Sequence, residues 1–301
     1  MTIEFLLTMG LARLGLMVTE ADLGLSDGRT LHYYDTREDE SDARVAVFWH
    51  HGTPNVGSPP EPLFSAAAEN GLRWVSYDRP AYGGSSPNPG RDIASAAADV
   101  AAIADALGIG RFAVLGHSGG GPHALSCGAL LPERVIAVVS GSAPAPFDAE
   151  GLDWFAGWSR SGVAEQRAAL AGRAALEEYL PSAEFDPETF TPEDHAALEG
   201  RWSWLGEVVG QAMEKGDEGM VEDLLAGAHA WGFAPADITV PVLILHGAKD
   251  RMVPCAHGEW LAAHCPTAEL RLVAGAGHIT VLDSAPAALG WLRDRSSRLT
   301  W

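Results

Sequence analysis

Cysteine is scarce in this chain. Cys127, Cys255 and Cys265 make an odd count with no disulfide or zinc spacing, which predicts reduced thiols in a cytoplasmic protein. Positive charge is also short: 20 Lys and Arg face 40 Asp and Glu, for a net charge of −20. That balance argues against nucleic acid or an anionic membrane as partners. Residues 1–17 are fairly apolar but lack a basic leading stretch and a small-residue cleavage site, and they carry Glu4 and Arg13. A signal peptide is not expected there, and the stretch is too short to span a bilayer. An extra amphipathic helix packed on the body or on a partner is the expectation. No set of His, Asp and Glu has metal-ligand spacing, so no metal or other cofactor is expected. A G-x-G-x-x-G dinucleotide loop is missing as well.

What is present suits a large α/β domain with an insertion: 301 residues, 47% of them hydrophobic. An Asp27-Gly28 turn joins two short strand-like runs, 21–25 and 31–35. Strands are predicted at 45–49, 73–77, 112–115 and 135–139, with helices at 63–70 and 93–107 between them. This alternation predicts a mostly parallel sheet covered on both faces. It stops at Pro144. From there to about Pro235 the pattern is helical, notably at 163–180 and 192–213, with 18 Asp and Glu against 5 Lys and Arg. Alternation resumes with a strand at 240–245, a helix near 259–264, a strand at 270–273 and a helix at 286–295. The expected organisation is a core in two parts, 1–143 and 236–301, with a helical cap, 144–235, inserted after the sixth strand.

The stretch around which the chain is organised is Gly116-His117-Ser118-Gly119-Gly120, a G-x-S-x-G pattern between a buried strand and a helix. So sharp a turn holds Ser118 in a strained conformation with its side chain in the open. The helix start beside it brings free N–H groups and the positive end of a dipole. Later, Asp250 and His278 each fall on a loop just past a strand, where open α/β sheets place their ligands.

The order Ser118, Asp250, His278, together with His51-Gly52-Thr53-Pro54 and Asp78-Arg79-Pro80-Ala81-Tyr82-Gly83-Gly84-Ser85, resembles the α/β-hydrolase fold family over nearly the whole chain. The resemblance implies a serine hydrolase with Ser118 as nucleophile, His278 as base and Asp250 as its orienting acid. It also implies an oxyanion hole from the backbone N–H groups of Thr53 and Gly119. His51 is expected to brace that loop, and Asp78 and Arg79 to form a structural turn beneath it. Serine at 118, where dehalogenases and epoxide hydrolases of this fold carry aspartate, argues against both those chemistries.

The expected reaction is cleavage of an ester, thioester or lactone of a small to medium apolar acid, so the expected partner is a small-molecule substrate. The inserted segment holds Trp154, Trp158, Trp202, Trp204 and Trp231, half of the ten tryptophans. Most are expected to pack between helices, and one or two to line an acyl pocket. An aminopeptidase resembling the proline iminopeptidases is the alternative, with Glu207, Glu214 or Glu218 holding a substrate ammonium. A solvated acidic face is the plainer expectation for those three. Cofactor-free oxidation and a non-catalytic binding protein are further alternatives, and the oligomeric state stays open.

Overall fold

In the computed structural model, which describes residues 18–39, 41–184 and 186–297, eight strands form one sheet. In chain order they are β1 Thr19–Gly24, β2 Thr30–Asp35, β3 Val45–His50, β4 Leu72–Tyr77, β5 Phe112–His117, β6 Val135–Gly141, β7 Val242–Gly247 and β8 Ala268–Val273. Their order across the sheet is β1-β2-β4-β3-β5-β6-β7-β8. β1 and β2 form the expected hairpin, with Gly28 at φ 88° in its turn. β2 joins β4 antiparallel, and every later pairing is parallel.

Because a strand sends successive side chains to opposite faces, the unbroken apolar runs serve two cores. Val47, Trp49, Leu115, Leu243 and Leu245 face α1 Phe64–Glu69 and the C-terminal helix. Phe48, Val114, Val242 and Ile244 face α2 Ser95–Ala106 and α3 Gly120–Leu130 on the other side. The chain runs from β3 to β4, then crosses back to lay β5 along the opposite edge of β3. That reversal opens a crevice beyond the carboxyl ends of β3 and β5, the place where doubly wound sheets bind their ligands.

Between β6 and β7 the described residues contain helices and no strand: α4 Arg160–Ala171, α5 Arg173–Tyr179, α6 Pro192–Glu199, α7 Trp204–Met213 and α8 Glu218–Ala228. The two long helices expected here are each broken in two by glycine. Gly172 sits at φ 102° between α4 and α5, and Gly200 at φ −118°, ψ −115° ends α6. Helix α8 falls within the segment expected to be helical, though its own bounds were not foreseen. Ala169, Leu176, Val221 and Leu224 bury one another between α4, α5 and α8, whereas Trp202, Trp204, Leu205 and Val208 pack into the main core.

The fold closes with α9 Cys255–His264 and α10 Ala285–Ser296. Cys127, Cys255 and Cys265 are all free thiols. No helix among the described residues is long and apolar enough to cross a membrane. The helix expected over residues 1–17 lies outside the described residues.

Candidate active site

Ser118 follows β5 with φ 55°, one of three non-glycine residues in the left-handed region among those described. Its own N–H donates to Gly141 O at 2.8 Å, and its carbonyl accepts from Gly121 N at 2.9 Å. Both flanking glycines are sterically required. A Cβ at Gly116 would overlap the backbone of Gly120, and one at Gly120 would overlap the carbonyl of His50. The strand–turn–helix is therefore packed too tightly for any other residue, and Ser118 is fixed at the mouth of the crevice.

The loop after β3 lies directly opposite. A Cβ at Gly52 would touch Ser118 Cβ at 3.5 Å, and one at Gly119 would run into Thr53. The backbones of Thr53 and Gly119 thus lie close together beside the serine, and the N–H of neither donates a hydrogen bond among the described residues. Two unspent donors at that place fit an oxyanion. His51 braces the loop as expected: its Nδ1–H donates to Gly52 O at 2.8 Å and its Nε2 accepts from Arg79 N at 3.1 Å. Burial and the Arg79 charge push the His51 imidazole well below its usual range, so it stays neutral in that role.

Asp78 forms the structural turn foreseen for it, its carboxylate accepting from Gly57 N at 2.6 Å and Gly84 N at 2.8 Å. Arg79 does more than was expected. Its guanidinium donates to His51 O at 2.5 Å and Gly52 O at 3.1 Å, and to both oxygens of Asp223.

Asp250, on the loop after β7, accepts from Met252 N at 3.0 Å and Val253 N at 2.8 Å through Oδ1. Its Oδ2 lies 2.8 Å from His278 Nδ1. Burial opposes the charge on Asp250, but the neighbouring His278 and His246 and the backbone N–H donors outweigh it and hold the carboxyl below the usual range. An ionised Asp250 assigns the proton on His278 to Nδ1 and leaves Nε2 as the basic nitrogen. His117, driven down to about 3 by burial, donates from Nε2 to His278 O at 2.9 Å. Ser118, Asp250 and His278 therefore lie on three neighbouring loops at one end of the sheet.

Two aspartates of the inserted helices, both missed in the sequence, hold this arrangement. Asp194 on α6 accepts from the backbone N–H groups of His278, Ile279 and Thr280 at 3.1, 3.0 and 2.8 Å, and from the Thr280 hydroxyl at 2.8 Å. Asp223 on α8 accepts from Thr53 Oγ1 at 2.6 Å, Tyr82 OH at 3.0 Å, Arg91 Nη2 at 2.5 Å and Arg79. Against the cost of burial, Arg79 and Arg91 hold the Asp223 carboxyl well below its usual range. The T-x-x-D pattern at Thr191–Asp194 was visible as a helix start, but nothing in the sequence pointed from it to His278.

Ser118, Thr53 and Gly119 open on a cavity of about 370 Å³. Trp154, Trp158 and Trp231 line it, as three of the five tryptophans named from the sequence. Trp202 and Trp204 do not: they are buried in the main core, where Trp202 Nε1 donates to Asp283 at 3.0 Å and Trp204 lies 6.4 Å from Trp49. Helix α7 and the turn before it press these side chains onto the sheet core and away from the cavity, which corrects the assignment of those two to a substrate pocket. Glu207, Glu214 and Glu218 are exposed and also lie away from the cavity wall. No group of three or more His, Cys, Asp or Glu side chains among the described residues is arranged to hold a metal ion.

The sheet order and the serine elbow at its centre define an α/β hydrolase fold. The sequence model of the alpha/beta hydrolase fold family matches residues 45–285, and the chain belongs to that family. A non-heme chloroperoxidase of Streptomyces lividans is 31% identical over 244 residues, covering 77% of this chain and 82% of the relative. A 2-hydroxy-6-oxo-6-phenylhexa-2,4-dienoate hydrolase of Burkholderia cepacia is 27% identical over 292 residues, 90% and 92% of the two chains. Among solved structures, an esterase from Exiguobacterium antarcticum superposes with a TM-score of 0.67 at 20% identity, covering 93% of this chain and all of that one. A bromoperoxidase from Bacillus anthracis gives 0.66 at 21% identity, covering 94% and 100%. The two structural likenesses speak for the fold alone.

Proposed function

We propose that this α/β hydrolase is a serine hydrolase that cleaves an ester, thioester or lactone of a small to medium acid through an acyl-enzyme, with residues 144–235 serving as its cap. The observation that carries the proposal is the 2.8 Å contact between Asp250 Oδ2 and His278 Nδ1, set beside a left-handed serine with two unspent N–H groups close by. His278 Nε2 takes the proton of Ser118 as Oγ attacks the substrate carbonyl. The developing oxyanion is met by the N–H groups of Thr53 and Gly119. Collapse expels the alcohol or thiol with the proton from His278. Water then attacks the acyl-enzyme, His278 receives its proton, and the acid leaves as the Ser118 hydroxyl re-forms.

The curated relatives named for oxo-dienoates act on carboxylate-bearing compounds. Neither arginine nor lysine is among the described residues lining the cavity here. A buried carboxylate of the substrate would lack a counter-charge, which argues against an oxo-dienoate. Labelling with a fluorophosphonate probe tests the reaction: a single adduct at Ser118, absent in His278→Ala, is the expected result. A folded protein that gives no adduct there and hydrolyses no p-nitrophenyl ester would overturn it.

A further inference from the structure

Four carboxylates line the cavity: Glu165, Glu184, Asp186 and Asp223. Three of them are accounted for. Asp223 is neutralised by Arg79 and Arg91, Glu184 is exposed, and Asp186 accepts from Glu188 N at 3.0 Å as the cap of a helical turn.

Glu165 on α4 is different. It is partly buried on the cavity wall and makes no hydrogen bond or ion pair among the described residues. Burial alone pushes its carboxyl up to about 7, so near neutral pH it carries a partial charge that no protein cation balances. A carboxylate in such a place is unfavourable unless something bound in the cavity pairs with it.

The remaining wall is suited to a cation. Trp154 and Trp158 stack with ring centroids 4.8 Å apart and planes 17° apart, and Trp231 and Tyr179 add two more aromatic side chains. Aromatic faces attract ammonium groups, most strongly where water is excluded. The Tyr179 hydroxyl is engaged with Ser161 O at 3.3 Å, so it leaves Glu165 free. No arginine or lysine competes along the described wall. Residues 144–235 carry a net charge of −13, from 18 acidic and 5 basic residues, which makes the approach to the cavity attractive to positive ligands.

From these observations we infer that the cavity binds substrates bearing an ammonium group, primary or quaternary, at the end of a short aliphatic stem, with Glu165 as counter-ion and the tryptophans against the stem and head. The inference deepens the hydrolase proposal and rests on it for the position of the scissile bond. Glu165 sets specificity and takes no part in proton transfer at Ser118.

The test uses isosteric pairs that differ only in charge. Acetylcholine is compared with 3,3-dimethylbutyl acetate, which places the charge in the alcohol. The p-nitrophenyl esters of 4-(trimethylammonio)butanoate and 5,5-dimethylhexanoate place it in the acyl group. In at least one pair the cationic member is expected to have the higher kcat/KM by about tenfold or more, and Glu165→Gln to lower that ratio by about tenfold. A binding arm separates this inference from the reaction: choline and 3,3-dimethylbutanol are titrated into Ser118→Ala by tryptophan fluorescence, with and without Glu165→Gln. Tighter choline binding that depends on Glu165 supports the inference even if no ester is cleaved, an outcome that sinks only the hydrolase proposal. Cleavage at Ser118 with the neutral members preferred in both pairs, or a cation preference unmoved by Glu165→Gln, overturns the inference and leaves the hydrolase proposal standing. Choline binding no tighter than that of 3,3-dimethylbutanol overturns it as well.

Discussion

Thr53 Oγ1 donates to Asp223 Oδ2 at 2.6 Å, joining the loop that follows β3 to a helix 170 residues further along the chain. Both residues line the cavity, and the same loop carries the Thr53 N–H beside Ser118. A side chain of the inserted helices thereby sets where that donor points.

Removing the tie without disturbing the charges is the informative change. Thr53→Val keeps the backbone N–H and leaves Asp223 with Arg79, Arg91 and Tyr82. We expect kcat for a p-nitrophenyl ester to fall about tenfold, which is ~1.4 kcal/mol of transition-state stabilisation, with little change in the urea midpoint. An unaltered kcat would mean that the loop holds its shape unaided. Asp223→Asn should act on folding instead, since it leaves two buried arginines short of a partner, at a cost of about 3–5 kcal/mol.

Asp194 makes the corresponding test at the histidine. Asp194→Ala strands three backbone N–H groups around His278, each with a desolvation cost of about 1–3 kcal/mol. The expected outcome is a lower melting temperature together with a kcat loss greater than that of Thr53→Val. Asp194→Asn retains one acceptor oxygen and should recover part of both. Equal losses in the two variants would show that shape, and not hydrogen bonding, is what α6 contributes.

Ser118→Ala and His278→Ala should each lower kcat by about 10⁶, and the double variant should be little worse, if the proposed triad acts as a unit. Asp250→Ala should cost less, about 10⁴ on the same comparison. Steady-state kinetics on one activated ester decides it, and near-additive losses would count against a common step.

Acid should weaken the fold well before the paired carboxylates Asp223 and Asp250 titrate. Burial drives His50 and His117 down to about 3 and His257 to about 4, and it lowers His51, His123 and His246 as well. In the unfolded chain these rings titrate near ~6.5. Above that value neither state is protonated and stability is complete. Below it the unfolded chain binds protons that the folded one refuses, so stability is lost as pH falls from about 6.5 toward 4, at up to about 1.4 kcal/mol per pH unit for each ring. Urea unfolding at pH 7 and pH 5 should show a clear fall in midpoint, with uptake of about three or more protons. Equal midpoints would refute the claim that these rings stay neutral.

Neutral p-nitrophenyl esters of increasing acyl length should gain about fourfold in kcat/KM per methylene, from ~0.8 kcal/mol for each buried CH₂. The gain should stop abruptly once the cavity of about 370 Å³ is filled. A flat series would place the acyl group in solvent.

Much of this architecture was legible because it is local. The elbow at Ser118, the alternation of strands and helices, and the loops bearing Asp250 and His278 are each written within a few residues, and hydrophobic periodicity reports on them directly. The inserted helices were harder to read. Gly172 and Gly200 break what apolar spacing alone presents as continuous helices, and α8 has an acidic start that resembles a solvated loop. Four of the five tryptophans lie in the turns and loops that join the inserted helices, and which of them meet the sheet core and which the cavity is a matter of tertiary packing. Asp194 and Asp223 were illegible for the same reason. Each acts across 84 residues or more, and in sequence neither differs from the other sixteen acids of the segment.

The two aspartate clamps also bear on how a chain of this kind can diversify by recombination. A foreign segment spliced between β6 and β7 would bring a new ceiling to the cavity but would carry off the carboxylates at 194 and 223, and with them the supports of the histidine loop and the Thr53 loop. Wholesale exchange would yield destabilised and inert chimeras unless both acids came across in register. Point changes at the cavity wall, at positions such as Glu165 or Trp231, escape that penalty, so new specificities are expected to be reached one side chain at a time.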